Sequence, residues 1–454
     1  MNQLAFLSKE KTVLAGFMLL GIICLALSVF AEPAAIADAH YSYRFWTNFL
    51  HNTVFFTGIG FMALFIFCGF MIAYAGWYVT FKRVWEAIML MIVPGLALLG
   101  IIIVGMWLHW HELYHWMDAA AVSDDRILAH KSFFLNKNWY TFGTIIIVGL
   151  WAVFAFKMRS MSRDEDREDG NRYLTHRNMK VWGAIFLPIA GFSSCAVIWQ
   201  WIMSIDAHWY STMFAWYTTA SWFVALIALT ILLLIYLKSR GYYQNVTDEH
   251  LHDLGKFLFA FSIFWTYLWF SQYMLIWYAN NGEETAYFFE RYENYPVLFY
   301  GNLAINFVLP FIILMANTTK RKYGTLVFTS IIVFFGHWWD FFLMIKPGTY
   351  LTALEVAEHH GAGHAETGAH AGDHAGEHAG GVEHGLEQMA GHLEEIHGGG
   401  HGFVEGFTVP GLLEIGIFLG FLAMFLYLIM HNLTKAPLVA KNDPYLNESL
   451  HHHV

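Results

Sequence analysis

In "WIMSIDAHWYSTMFAWY", residues 201–217, an aspartate and a histidine, Asp206 and His208, sit where one long apolar run gives way to the next. An acid and an imidazole at a bilayer edge have the chemistry to pass protons. The plainer reading is a wetted helix end. Two residues apart on a helix, they would point to different faces, so they are not expected to pair with one another. A second cluster, "HWHELYHW", carries His109, His111, Glu112 and His115, and formally contains HExxH. In zinc proteases that spacing supplies two ligands, here His111 and His115, and a general base, here Glu112. No motif marks the third ligand such a site needs, and an interfacial proton-handling cluster is the favoured reading. A third stretch, "GHWWDFF", puts His337 three residues before Asp340, deep in an apolar run where a short carboxylate cannot reach water. Their spacing lets them share a helix face and pair. Gln272, Tyr273, Asn302 and Asn306 add hydrogen-bonding groups, enough for a polar half-channel or a quinone head-group pocket.

The elements that must position these groups are membrane helices. Of the 454 residues, 57% are hydrophobic and 13% charged, against about 25% charged in a typical soluble domain. Apolar runs long enough to span a bilayer lie near 12–31, 50–74, 87–108, 139–157, 181–204, 213–237, 257–279, 296–316, 324–345 and 409–431. The expected fold class is therefore an all-α integral membrane protein of about ten transmembrane helices. The first run is longer than a signal-peptide core and is read as a retained helix. Lys and Arg divide 19 to six between the two sides of this topology, which places both termini in the cytoplasm. The outer ends of helices three, five, seven and nine then all bring ionisable groups to one membrane depth, with Glu283 and Glu284 following the seventh. The cytoplasmic side reads as thinner. Glu86, Asp253 and Lys256 are its candidates for taking up protons, although Asp253 also suits a helix N-terminus.

Several classes are excluded or disfavoured. The net charge is −10, and no basic stripe with interleaved aromatics points to nucleic acid. Cys24, Cys68 and Cys195 lie far apart in apolar runs, without CxxC or CxxCH, which argues against a disulfide framework, an iron–sulfur cluster or attached haem. Apart from His337, the histidines near the spans sit at helix ends, which does not suit haem b, and no phosphate-binding glycine loop follows a strand. Residues 355–402 hold ten of the 25 histidines among Gly, Ala and Glu. They read as a solvated outer loop that could take up zinc or copper only adventitiously.

The stretches "WQWIMSIDAHWYSTMFAWYTTASWFVA" and "DLGKFLFAFSIFWTYLWFSQYMLIWYANNGEET", with ten spans around them, resemble the NrfD-like membrane subunits of the polysulfide-reductase family. The resemblance covers essentially all spans and is strongest to the second such subunit of bacterial alternative complex III. It implies two four-helix bundles, helices 2–5 and 6–9, with flanking helices. The corresponding segments are 1–48, 49–208 and 209–346, then a flexible outer loop at 347–408 and a last helix and tail at 409–454. It also implies a place in a respiratory quinol:cytochrome c oxidoreductase complex in the bacterial inner membrane. The partners would be a related membrane subunit, iron–sulfur and multihaem cytochrome c subunits and a terminal oxidase, and the histidine-rich loop would face the periplasm. Asp206 matches a family quinol-pocket position, and one of His109, His111 and His115 matches the outer histidine of helix three. The chain would then carry no covalent cofactor, and either bind quinone or quinol or use its polar groups for proton transfer and assembly. A lone zinc protease and an ion transporter without redox partners are the competing readings.

Overall fold

The computed structural model describes residues 3–39, 41–167, 172–366 and 403–452. Ten helices are long and apolar enough to cross a membrane. They are α1 (Ser8–Ser28), α2 (Tyr43–Ile72), α3 (Val79–Trp107), α4 (Lys137–Glu165), α5 (Arg172–Trp201), α6 (Thr212–Ser239), α7 (Asp248–Ala279), α8 (Pro296–Leu314), α9 (Tyr323–Glu366) and α10 (Leu412–Leu433). No strand occurs among the described residues, and the chain is an all-α integral membrane protein. Hydrocarbon offers no partner to backbone polar groups, so long helices that satisfy their own are what such a sequence can form.

Helices α2 to α5 pack in a ring, as do α6 to α9, and α2 touches both α6 and α9 across the seam. α2 and α6 are the most enclosed spans. They come so close that a Cβ on Gly58 would lie 1.7 Å from the Trp222 indole, so only glycine fits there. α10 rests on α2 and α3, and α1 is held mainly by α10. That outer pair meets through small residues: a Cβ on Gly21 would come 2.5 Å from Gly420 Cα, and one on Gly416 would come 2.4 Å from Cys24 Sγ. Gly416 and Gly420 form the small-xxx-small spacing that lets membrane helices approach backbone to backbone.

The sequence places the start of an outer loop at 347, but α9 continues through Pro347 to Glu366. Proline removes one helical donor, yet Tyr350 and Ala353 beyond it stay buried against the protein, and that packing outweighs the break. Residues 367–402, with most of the histidine tract and its expected metal chemistry, lie outside the described residues. α8 contains one π-helical turn, Ala304–Val308, below Asn302.

Gly420→Leu should drive α1 off α10 and cost about 1–3 kcal/mol, read as a lower unfolding midpoint of the purified chain. Gly16→Leu, on the partner helix α1 with open space around its Cβ, should leave the midpoint unchanged.

Candidate functional site

Asp206 follows a short 3-10 turn, Met203–Ile205, that stops α5 before α6 begins. What it faces is Arg291, on the helix Gly282–Asn294 that leads from α7 to α8. The guanidinium Nη2 donates to Asp206 Oδ2 at 2.9 Å, and other N–H groups donate to the carbonyls of Tyr287, Leu343 and Met344 at 3.0–3.3 Å. The guanidinium also lies 3.4 Å from the Tyr287 ring centroid, and that ring stacks at 3.8 Å on Trp209. Burial works against the Arg291 charge, but Asp206 and Tyr287 more than offset it, so its pKa stands above the ordinary arginine value. On the other side of Asp206, a Cβ on Gly348 would come 2.9 Å from Oδ1, so glycine is required for the approach of α9.

The enclosed cavity beside Arg291, walled by Tyr217, Gln272 and Tyr287, measures about 10 Å³, room for about one water. Asp206 is already committed to a guanidinium, and the space does not admit a quinone ring. A wider crevice of about 250 Å³ beside the same turn is lined by Lys131, Trp199 and Tyr210, and Asp206 is not in its wall. Gln272 is buried with its Nε2 unpartnered, and Tyr273 stacks on Trp269; neither joins the Asp206 contact.

His208 and Asp206 go separate ways as expected, although they sit in a turn and not on the helix that the expectation assumed. His208 Nε2–H donates to the Asp125 carboxylate, whose pKa is lowered; burial, which would raise it, is outweighed by this bond and by nearby backbone N–H groups. The His208 ring centroid lies 5.9 Å from that of His115, and His115 Nδ1 is 3.1 Å from Glu355 on α9. The Glu355 hydrogen bond, opposed by burial, raises the His115 pKa. His109 to Tyr114 is not helical, so the HExxH residues are not presented on consecutive turns. His109 is exposed in a left-handed conformation, φ 53°. His111 is buried against Trp46, with Nε2–H donating to the Ile102 carbonyl at 3.0 Å, and burial lowers its pKa to about 4. The Glu112 carbonyl accepts from Tyr43. The two histidines thus serve different neighbours, and the protease geometry is not formed.

Asp340 is fully buried in the second bundle, and His337 is not its partner. Its Oδ1 accepts from the Tyr217 hydroxyl and from Asn302 Nδ2 at 2.7 Å, and its Oδ2 accepts from Trp265 Nε1 at 3.0 Å. Asn306 Nδ2 extends the chain to Asn302 Oδ1 at 2.7 Å and to the Gly336 carbonyl at 2.8 Å. His337 instead shares a 2.8 Å hydrogen bond with Ser221.

A further cluster, on the side away from the termini, was not foreseen. α2 lines the seam with Asn48, His51 and Asn52, all fully buried. His51 Nε2–H donates to the Trp338 carbonyl, and Trp338 Nε1 donates to Asn52 Oδ1, both at 3.0 Å. Glu414 of α10 accepts from Arg44 at 2.9 Å and from Asn48 at 3.0 Å. Lys346 is fully buried, with no hydrogen-bond partner for Nζ among the described residues, 4.7 Å from the Phe407 ring centroid. Glu32 accepts from the Arg44 backbone N–H at 2.8 Å, while its Oε2 is buried and unpartnered. Burial raises the Glu32 carboxyl from 4.5 to about 7 against the pull of Arg44 and Lys346.

The side bearing the termini is the opposite of thin. Lys82 bridges Glu165 at 2.9 Å and Asp443 at 2.5 Å, and His176 donates to Glu165 at 3.0 Å. Glu165, His176 and Asp443 have metal-ligand proximity, but the Lys82 ammonium already supplies the positive charge between the two acids. Glu86 is buried against Arg83 at 2.6 Å, Ser162 at 2.5 Å and Arg159 at 3.7 Å. Asp253 is held by Lys256 at 2.6 Å and by His452 of the tail at 2.7 Å. These candidates form closed ion pairs. The sequence signal for the network was the run Lys82, Arg83 and Glu86 at a span's start, of which Glu86 was read as a proton-uptake candidate and the two cations only as topology.

The chain matches no protein-family model, and no curated protein matches its sequence.

Arg291→Gln should cost about 3–5 kcal/mol by leaving Asp206 half-buried and unpaired, and Asp206→Asn in addition should restore part of that, measured as a double-mutant cycle of unfolding free energies. For Glu32, the folded pKa exceeds the unfolded one, so the fold binds its proton more tightly. That stabilisation is complete below the ordinary 4.5 and lost as pH rises through about 7. The unfolding midpoint should fall across that window in the native chain, and the fall should flatten in Glu32→Gln.

Proposed function

We propose that this chain is a membrane subunit of a quinol:cytochrome c oxidoreductase complex, contributing a proton-handling polar path and a scaffold for redox subunits. The observation that carries this reading is Asp340: a carboxylate deep in an apolar span, on which Tyr217, Trp265 and Asn302 converge from three other helices. Ionisable groups inside a bilayer are costly and mark proton or ion paths. The hydroxyl, the amide and the indole N–H that touch Asp340 can reorganise around a proton.

The resemblance of "WIMSIDAHWYST" and "DLGKFLFAF" to NrfD-like subunits supplies the redox context. On this reading the complex lies in a bacterial inner membrane, with both termini cytoplasmic and the histidine-rich loop periplasmic. Iron–sulfur and multihaem subunits carry the electrons and a related membrane subunit oxidises quinol. The closed geometry around Asp206 favours proton handling over a working quinone pocket in this chain.

Tagged protein from its native membrane should bring down haem-containing and iron–sulfur subunits; a chain that purifies alone would sink the proposal. Within such a complex, Asp340→Asn should lower proton release per electron or turnover at least about tenfold while the subunits still assemble. Unchanged turnover and proton release would leave only the scaffold role.

A further inference from the structure

We propose that a slot between α1, α6, α9 and α10 is a binding site for one anionic phospholipid, with an acyl chain inside and the phosphate at Lys9 and Arg240. The slot encloses about 560 Å³. Its walls are apolar: Val13 of α1, Leu229 and Leu233 of α6, Phe334 of α9 and Leu426 of α10. From Arg240 at the mouth to Leu229, α6 advances about 16 Å at 1.5 Å per residue, about half the hydrocarbon thickness of a bilayer. One leaflet's acyl chain has that reach.

The slot follows from how α1 is held. Gly21 and Cys24 meet Gly420 and Gly416 at near-contact distance. Toward Ser8, α1 presents Val13 and Leu14 to the slot, and Gly16 makes no close helix contact, with nothing within 4 Å of where its Cβ would stand. The gap widens on the side that carries the N-terminus.

Charge decides which lipid. At the mouth, Glu10 accepts from the Tyr236 hydroxyl and the Arg240 guanidinium, and from the Leu7 N–H at 2.9 Å. Lys9 beside it is exposed, with no ion-pair partner among the described residues. Two cations against one carboxylate leave a positive excess at headgroup depth. A phosphodiester without a compensating amine satisfies that excess. A zwitterionic lipid brings its own ammonium toward Lys9, and a quinone ring offers no charge.

The test is native mass spectrometry of the full chain after incubation in nanodiscs of equal phosphatidylglycerol and phosphatidylethanolamine. One phosphatidylglycerol per chain should be retained, preferred at least about fivefold, the worth of one basic residue at an anionic surface. Lys9→Glu, an exposed change, should erase the preference without moving the unfolding midpoint. Leu233→Trp should fill the slot and abolish retention; if it does not fold, Lys9→Glu decides. Retention of phosphatidylethanolamine or a quinone in its place, no retained lipid, or undiminished phosphatidylglycerol preference in Lys9→Glu would overturn the proposal.

Discussion

Asp340 sits where no water reaches it, and the second bundle is arranged around that fact. A buried carboxylate without donors is worth several kcal/mol of instability, and the donors come from Tyr217 on α6, Trp265 on α7 and Asn302 on α8. The lateral position of each of those helices relative to α9 is thereby fixed to hydrogen-bond tolerance, far tighter than apolar packing in lipid alone requires. The π-helical turn below Asn302 has the same logic. Asn302 lies just before it and Asn306 within it, and both bond to α9.

α9 carries polar groups on two faces. His337 and Asp340 look into the second bundle, while Trp338 and Lys346 meet the seam with α2 and α10. Movement of α9 in one cluster is therefore felt in the other. A change of protonation at Asp340 alters what holds α6 to α9, and through the Trp338 contacts with His51 and Asn52 it bears on α2. This coupling runs through packed side chains and needs no larger rearrangement of the helices.

Much of the architecture was legible in the residues because lipid leaves few options: each apolar run of bilayer length became a span, and Asp340 stood out as a carboxylate with nowhere to go. What stayed hidden was partnership across long separations. Arg291 lies in "GEETAYFFERYEN", which reads as an ordinary polar connection, and nothing local marks it as the counter-charge of Asp206, 85 residues earlier. His337 was assigned to Asp340 by spacing on one helix, but three donors from other helices reach the carboxylate instead. HExxH failed because its residues do not form the helix that gives the pattern meaning. The cluster of Asn48, His51 and Asn52 was absorbed into an apolar run, where polar residues at one-turn spacing are diluted by the phenylalanines around them.

The tail beyond α10 has a bearing on how the molecule is made. Asp443 reaches Lys82, the Asn442 N–H reaches Asp166, Ser449 reaches the Trp77 carbonyl, and His452 reaches Asp253. Lys82 is thus synthesised 361 residues before one of the two acids that neutralise it. During synthesis, which releases the N-terminal part first, that ammonium must remain hydrated or lean on Glu165 alone. The face bearing the termini closes last, when residues 442–452 leave the ribosome, and a chain stalled before them would hold its ten spans with that face still open to water.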